Sequence, residues 1–316
     1  MKAIVQESYG APMAVLAIRE TKAPAPKAGE VLVKVLASSI NQADWSAVTG
    51  RPWPVRMGFG LRRPKFPTPG RDVAGVIEAV GPGVTRFKRG DGVVGEVNQR
   101  AWAEFVCASE KALALKPVAL EFTDVATLPV AGTTALQGLR DHGQLQQGQR
   151  MLINGASGSV GTFAIQVAKI LGAQVTAVCS PHNVDTARSL GADHVVDYTS
   201  ADFTQTDARY DLIFDIAASK PLAMCRHILA PTGRYVACSG SLGWVFKVAV
   251  SSMFKGWVVG PWVANSNPED LGLLMEWIVS GRLKPAVVRT IGLEEVANAV
   301  REQGEGHSRG KTAIRL

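Results

Sequence analysis

The stretch from Met151 to Gly161 constrains the fold of this chain more than any other. Its first three residues are apolar and predict a buried parallel strand. Three glycines follow, at positions 155, 158 and 161, and apolar residues then recur at helical spacing from Phe163 to Leu171. This order of strand, glycine turn and helix is typical of phosphate-binding sites. The glycines let the backbone approach a pyrophosphate closely, and the positive end of the helix dipole faces the phosphates. We therefore predict a dinucleotide site, with a tight helix start that binds nothing as the alternative. The turn residues expected at the phosphates are Ser157, Gly158, Ser159 and Val160.

The next predicted strand, Gln174 to Cys179, indicates which dinucleotide binds. Enzymes that use NAD usually place Asp or Glu at the end of this strand, where the carboxylate accepts from the 2′-hydroxyl of the ribose. Here no carboxylate ends the strand, and a 2′-phosphate would meet hydrogen-bond donors. We therefore expect NADPH as the cofactor, while the same residue types also favour a simple turn. The residues expected to contact this end of the cofactor are Cys179, Ser180, His182 and Asn183.

Length and composition are those of a globular protein with two domains. The 316 residues are too many for one ordinary core, and 47% apolar against 19% charged residues excludes a disordered chain. The net charge of +7 is compatible with an acidic partner. Basic residues cluster only from Arg51 to Lys65, where Trp53 and Phe59 are interleaved. We expect a solvated loop near the mouth of an active site, with single-stranded nucleic acid as the alternative ligand.

The cysteines and the chain start predict a cytoplasmic protein. The four cysteines are far apart and form no C-x-x-C pair, which is typical of a reducing compartment. The chain opens on strand-like Lys2 to Val5 without a signal-peptide pattern. The apolar segment from Leu242 to Ala264 contains two lysines and a proline, so we expect a helix and a strand there and no membrane span. The cysteines are Cys107, Cys179, Cys225 and Cys238.

The order of the predicted elements divides the chain. Residues 1–120 contain short strands separated by glycine turns, such as Val31 to Leu36 and Val73 to Val80, and predict an irregular β-barrel. Strands and helices alternate in residues 121–264, which predicts a doubly wound parallel sheet with crossover helices. Residues 265–316 return to helices and a final strand, Lys311 to Leu316.

Several motifs together resemble the medium-chain dehydrogenase/reductase superfamily, and within it the branch of zinc-free quinone oxidoreductases. The resemblance implies an α/β protein with a GroES-like β-barrel catalytic domain (1–120 and 265–316) and a Rossmann domain that binds NADPH (121–264). It also implies a homodimer formed through the last strand of the parallel sheet, near Gly256 to Val263. The motifs cover the whole chain: Asn41 to Asp44, Pro69 to Gly75, Leu128 to Ala135, Asn154 to Gly161 and Arg309 to Lys311.

Zinc ligands of the related alcohol dehydrogenases are missing here. Those enzymes carry a Cys near the position of Asn41 to Asp44, and a Gly-His-Glu where this chain has Gly70, Arg71 and Asp72. A catalytic zinc needs three N, S or O protein ligands around an open position. We therefore expect no metal, and hydride transfer from NADPH to a quinone or an α,β-unsaturated carbonyl. The histidines, none of which is grouped in sequence, are His142, His182, His194, His227 and His307.

The resemblance also implies roles for individual residues. Asn41 is expected beside the nicotinamide and the acceptor, or alternatively as the cap of the helix that follows. Trp45 and Trp53 are expected to line the acceptor pocket, where several relatives offer a tyrosine. Tryptophan cannot give its proton to a developing oxyanion, so we expect the proton to come from water.

Four further cofactor contacts are implied by the resemblance. They are Thr134 near the nicotinamide, Ala217 along the cofactor, Tyr198 at the adenosine end and Lys311 at the phosphates. For Tyr198 and Lys311, an ordinary surface position is the alternative.

Two other functions stay open at this point because the fold does not name the substrate. The first is a reductase of carbonyls, as in the alcohol dehydrogenases. The second is a protein that binds NADPH with low turnover and contacts RNA through the basic loop.

Overall fold

A computed structural model describes residues 1–238, 240, 242–306 and 310–316 of the chain. His307 and Arg309 lie outside the described residues. The strands are β1 Lys2–Val5, β2 Ala17–Glu20, β3 Glu30–Ser39, β4 Asp72–Val80, β5 Gly92–Glu96, β6 Phe105–Ser109, β7 Leu113–Leu115, β8 Arg150–Asn154, β9 Gln174–Cys179, β10 His194–Asp197, β11 Tyr210–Asp215, β12 Leu229–Ala237, β13 Val258–Val259, β14 Val287–Ile291 and β15 Lys311–Arg315. The α-helices are α1 Pro12–Val15, α2 Gln42–Thr49, α3 Arg56–Phe59, α4 Phe122–Val125, α5 Thr133–Gln137, α6 Ser159–Ile170, α7 Val184–Ser189, α8 Leu222–His227, α9 Leu242–Phe254, α10 Pro268–Val279 and α11 Val296–Gly304.

The chain forms two compact units. Unit 1 consists of Met1–Ala131, Ser266–Gly281 and Pro285–Leu316. Unit 2 consists of Gly132–Asn265 and Arg282–Lys284. Unit 1 is therefore assembled from both ends of the chain, whereas unit 2 is nearly continuous.

Unit 1 is built on a mostly antiparallel sheet in the order β14-β15-β3-β4-β5-β7, with β6 also paired to β3. Its long strand β3 buries alternate side chains, among them Val31, Val33 and Val35, as a strand with one face on a core must. The final strand β15 pairs antiparallel with the end of β3, where Ala313 lies opposite Ser39. The end of β3 thus lies beside the starts of both β4 and β15.

Unit 2 is built on a six-stranded sheet in the order β10-β9-β8-β11-β12-β13. Every pairing is parallel, and the order is that of the doubly wound dinucleotide-binding fold. The predicted parallel sheet is confirmed. Met151, Leu152 and Ile153 in β8 are fully buried because helices cover both faces of such a sheet. The strand order reverses between β8 and β11, and ligands of these folds bind at the carboxyl ends of the strands at that point.

Helix α9 of unit 2 is apolar on its exposed side as well as on its buried side. Val248 is buried against the sheet, whereas Phe246, Met253 and Phe254 are exposed. The neighbouring strand β13 is the outer strand of the six-stranded sheet. Within the residues that the structure describes, α9 and the other helices are too short or too polar to cross a membrane.

Candidate active site

The glycine turn of unit 2 lies between β8 and α6. Gly155 has a φ of 90°, a left-handed conformation that favours glycine. A Cβ on Gly161 would lie 2.3 Å from the carbonyl oxygen of Gly155, so only glycine lets α6 approach the turn this closely. A Cβ on Gly158 would meet nothing closer than 3.6 Å. A helix leaves the N–H groups of its first turn without acceptors inside the helix, and such a terminus favours an anion. The turn fits a pyrophosphate, and its predicted contacts are all partly exposed: Ser157, Gly158, Ser159 and Val160.

A buried carboxylate holds the two strand ends at the point where the strand order reverses. Asp215 ends β11 and is fully buried. Its Oδ1 accepts hydrogen bonds of 2.8 Å from Nδ2 of Asn154, at the end of β8, and from the N–H of Ala218. The Tyr235 hydroxyl donates a short hydrogen bond to Oδ2.

Titration of these groups follows from their burial. Burial raises the pKa of Asp215 above its ordinary value, against the opposing effect of the hydrogen bond from Tyr235. Burial and the charge of Asp215 also raise the pKa of Tyr235, so this hydroxyl stays a donor. Sequence reasoning missed Asp215 and Tyr235. The available signal was a pair of polar residues, Asn154 and Asp215, each ending an apolar strand.

The predicted adenosine-end residues meet at the carboxyl ends of β9 and β10. Cys179 is buried, and its carbonyl oxygen accepts a 3.2 Å hydrogen bond from the N–H of Tyr198. Nδ2 of Asn183 donates to Oγ of Ser180 at 2.8 Å. His182 is exposed, and Tyr198 is 59% exposed. Two separate strands therefore contribute polar groups to one edge of the sheet.

Two more predicted cofactor contacts belong to unit 2. Ala217 borders the glycine turn, since a Cβ on Gly155 would lie 3.3 Å from the Cβ of Ala217. Thr134 lies in α5 and is partly exposed.

Lys311 is fully buried in unit 1, where it forms an ion pair. Its Nζ lies 3.2 Å from Oδ2 of Asp72 and donates to Oγ of Ser39 at 2.6 Å and to Oδ1 of Asn41 at 2.5 Å. The antiparallel pairing brings the start of β15, the start of β4 and the end of β3 together, and a buried cation requires a partner there. Lys311 is therefore not the ordinary surface residue of the alternative interpretation, and its approach to the cofactor phosphates stays a prediction.

Asn41 is 3% exposed, and the same ion pair orients its side chain. Its Nδ2 donates to Oδ2 of Asp72 at 2.8 Å, while its Oδ1 accepts from Lys311. Asn41 also precedes α2, and its N–H donates to Oδ2 of Asp44 at 2.8 Å. Asn41 therefore stands at the N-cap position of α2, while its amide group is held by charged neighbours.

Asp44 is a buried carboxyl group beside a second one. Burial, and after it the charge of Asp72, raises the pKa of Asp44 to about 7. Its Oδ1 has no hydrogen-bond partner among the described residues. The surroundings of Asp44 therefore favour its protonated, neutral form below about pH 7.

The two predicted acceptor-pocket tryptophans have different environments in unit 1. A Cβ on Gly304 would lie 1.9 Å from Nε1 of Trp45, so the indole packs directly on α11. Trp53 is 61% exposed. Trp45 is partly buried and the ring of Trp53 is accessible, and the contact of each with an acceptor stays a prediction.

Ion pairs hold Arg71 and Asp72, the positions where the resemblance implies zinc ligands in the related alcohol dehydrogenases. Nε of Arg71 donates to Oε1 of Glu96 at 2.7 Å, and Asp72 pairs with Lys311. In the described part of the chain, no three His, Cys, Asp or Glu side chains are arranged to hold a metal. These side chains do not fit a catalytic zinc, which needs three ligands around an open position.

Comparison with known proteins identifies the family. Family models match residues 27–168 (alcohol dehydrogenase GroES-like domain) and 190–314 (zinc-binding dehydrogenase). The chain is 32% identical to a chloroplast envelope quinone oxidoreductase homolog of Arabidopsis thaliana, over 99% of this chain and 98% of the relative. It is 31% identical to the chloroplastic NADPH-dependent alkenal/one oxidoreductase of Arabidopsis thaliana, over 99% of this chain and 79% of the relative.

A solved structure agrees with these matches. The quinone oxidoreductase from Coxiella burnetii superposes with a TM-score of 0.91 at 28% identity, covering 100% of this chain and 99% of that one. The chain belongs to the medium-chain dehydrogenase/reductase superfamily, in its quinone-oxidoreductase-like branch. The predicted combination of a GroES-like domain with a Rossmann sheet is confirmed.

The buried ion pair of unit 1 makes a prediction about stability. We expect Lys311→Met to lower the free energy of unfolding by about 3–5 kcal/mol, because the carboxylate of Asp72 stays buried without its cation. The K311M/D72N double variant should recover much of this loss, since the uncompensated charge is then gone. Urea unfolding followed by circular dichroism measures both. Equal midpoints for K311M and the unaltered protein would show that the ion pair contributes nothing.

Asp44 makes a prediction about pH. Its folded-state pKa of about 7 lies above the ordinary value of 3.8, so the folded protein favours the protonated form. Its stabilising contribution is therefore complete below pH ~4 and is lost as the pH rises to ~7. Asp44→Asn mimics the neutral form and keeps an acceptor for the N–H of Asn41.

We expect the Tm advantage of D44N to grow across that pH range, measured by thermal unfolding at a series of pH values. The matched control is D185N, because the side chain of Asp185 is fully exposed. Parallel Tm curves for D44N and the unaltered protein would contradict the assignment.

Proposed function

We propose that this protein is an NADPH-dependent oxidoreductase that transfers hydride to a quinone or an α,β-unsaturated carbonyl without a metal. One observation carries the proposal: ion pairs hold Arg71 and Asp72, where the resemblance implies zinc ligands, while the dinucleotide turn is intact. The relatives named as quinone and alkenal/one oxidoreductases support the same substrate classes.

The residues of each unit then have distinct roles. The bound NADPH supplies the hydride. In unit 2, the turn around Gly155 and Gly158 binds the pyrophosphate, and the buried Asp215 keeps β8 and β11 in place beneath it. Quinones and enones accept hydride at an activated carbon and spread the charge to oxygen, so positioning contributes most of the rate.

We assign the acceptor side of the reaction to unit 1. An amide nitrogen carries two N–H groups, and Asn41 uses one of them on Asp72. We assign the second N–H to the oxygen of the acceptor, where a fixed donor stabilises developing charge. The exposed ring of Trp53 stacks on a flat acceptor, and water supplies the proton.

Selection of NADPH is part of the proposal. Asn183 and Ser180 form a small donor group beside the end of β9, with His182 and Tyr198 exposed next to it. The carboxylate of Asp197, which ends β10, already accepts hydrogen bonds from the N–H and hydroxyl of Thr199. A 2′-phosphate therefore meets donors at the end of β9.

The direct test is the oxidation of NADPH with three acceptors: a quinone, a conjugated enone and a saturated aldehyde. We expect turnover with the first two, unchanged by a chelator. Turnover with the aldehyde alone, lost on chelation, would contradict the proposal and indicate a zinc enzyme. Tight binding of NADPH without turnover on any acceptor would indicate a binding protein.

The nucleotide preference has its own test. We expect Ser180→Asp to raise the KM for NADPH at least about tenfold and to leave the KM for NADH nearly unchanged, because a carboxylate at the strand end repels the 2′-phosphate. Ser189→Asp, at the exposed far end of α7, is the matched control. Steady-state kinetics with both nucleotides would reject the proposal if the unaltered protein preferred NADH.

We also propose a homodimer in the cytoplasm. The outer strand β13 and the exposed apolar side of α9 are adjacent parts of unit 2 and offer a continuous surface for a second copy. The four cysteines are free thiols, which suits a reducing compartment.

A further inference from the structure

The segment 51–66 of unit 1, called the basic loop here, carries charge of one sign only. Its charged side chains are all cationic, and four of them are exposed. Arg56, by contrast, is partly buried and donates to the carbonyl of Gly50. In the described residues, no carboxylate pairs with any of the exposed four. The exposed cations are Arg51, Arg62, Arg63 and Lys65.

Three large apolar side chains are exposed in the same loop. Trp53 is 61% exposed, Met57 73% and Leu61 59%. Trp53 and Met57 are four residues apart in the helical segment 53–59, so they lie on one side of it. Exposed apolar groups concentrated in this way mark an interaction surface.

The basic loop is fastened to the rest of unit 1. The hydroxyl of Tyr9 donates to the carbonyl of Gly60 at 2.6 Å, and the guanidinium of Arg56 lies 4.6 Å from the centre of the Tyr9 ring. The N–H of Lys65 donates to the carbonyl of Phe59 at 2.6 Å. The apolar side chains are thus presented by an ordered backbone.

We propose that the basic loop docks this protein on the surface of an anionic lipid bilayer. Binding at a bilayer surface requires apolar groups that enter the headgroup region and cations that meet acidic lipid, and this loop has both. The net charge of +7 adds long-range attraction.

The apolar groups favour lipid over single-stranded nucleic acid. Nucleic acid is held by aromatic rings on which bases stack. Two of the three exposed apolar side chains, Met57 and Leu61, are aliphatic and offer no ring. Aliphatic groups gain from leaving water for acyl chains, whatever their shape. The proposal does not depend on the oxidoreductase activity.

The test is sedimentation of the full chain with phosphatidylcholine vesicles, with and without phosphatidylserine. We expect binding only with phosphatidylserine, weakened as salt rises toward ~0.15 M. R62A/R63A should weaken the partition about 25-fold, since each cation contributes about fivefold. The control R19A/K22A removes the same charge from exposed positions outside the loop and should have little effect.

A second pair of variants tests insertion without changing charge. M57S/L61S should weaken the partition at least about tenfold, because two apolar side chains no longer leave water. The control V118S/V279S alters two other exposed apolar residues of unit 1 and should bind normally. Trp53 is left unaltered because it is assigned to the acceptor.

Three results would overturn the proposal. The first is no binding to phosphatidylserine vesicles at low salt. The second is that R62A/R63A and its control R19A/K22A weaken vesicle binding equally. Net charge alone would then account for the binding. The third is that the protein binds a single-stranded oligonucleotide and does not bind vesicles. If R62A/R63A abolished that binding and M57S/L61S did not, the loop would be assigned to nucleic acid.

Discussion

The buried pair of Lys311 and Asp72 is the interaction on which unit 1 depends. Burying two opposite charges costs free energy that their attraction recovers only when further hydrogen bonds satisfy both groups. Ser39 and Asn41 supply those bonds from the end of β3. The pair therefore joins β3, β4 and β15 at one point. It also fixes the orientation of the Asn41 amide. A residue assigned to chemistry is here held in place by the groups that close the sheet.

Unit 2 solves a similar problem with a different set of partners. Asp215 is buried at the end of β11 and is satisfied by neutral donors from Asn154, Ala218 and Tyr235. These hydrogen bonds hold the ends of β8 and β11 together next to the glycine turn, where we expect the backbone to contact the ligand. In both units a buried carboxylate at one end of a strand, Asp72 or Asp215, holds neighbouring strands together. We expect ligands to be bound by other groups near these strand ends.

Local patterns and distant contacts differ in how well the sequence predicts them. The glycine turn, α6 and the parallel sheet were predictable, since spacing over a few residues determines them. The ion pair of Lys311 was not predictable because its partner Asp72 is 239 residues away, and an isolated lysine in a sequence looks like a surface residue. The packing of Trp45 on Gly304 was not predictable either, because no local pattern reveals this contact. Strand β14 was missed because its middle residues are exposed and carry no alternation.

The strand β15 has a consequence for how this chain is made. A ribosome delivers Asp72 239 residues before Lys311, so the carboxylate is synthesised long before its cation. Unit 2 is nearly continuous and is fully translated before the last strand of unit 1 emerges. Domains generally fold as units during synthesis. Residues 132–265 can therefore fold as a unit while the first 131 residues still lack β14 and β15 of their sheet.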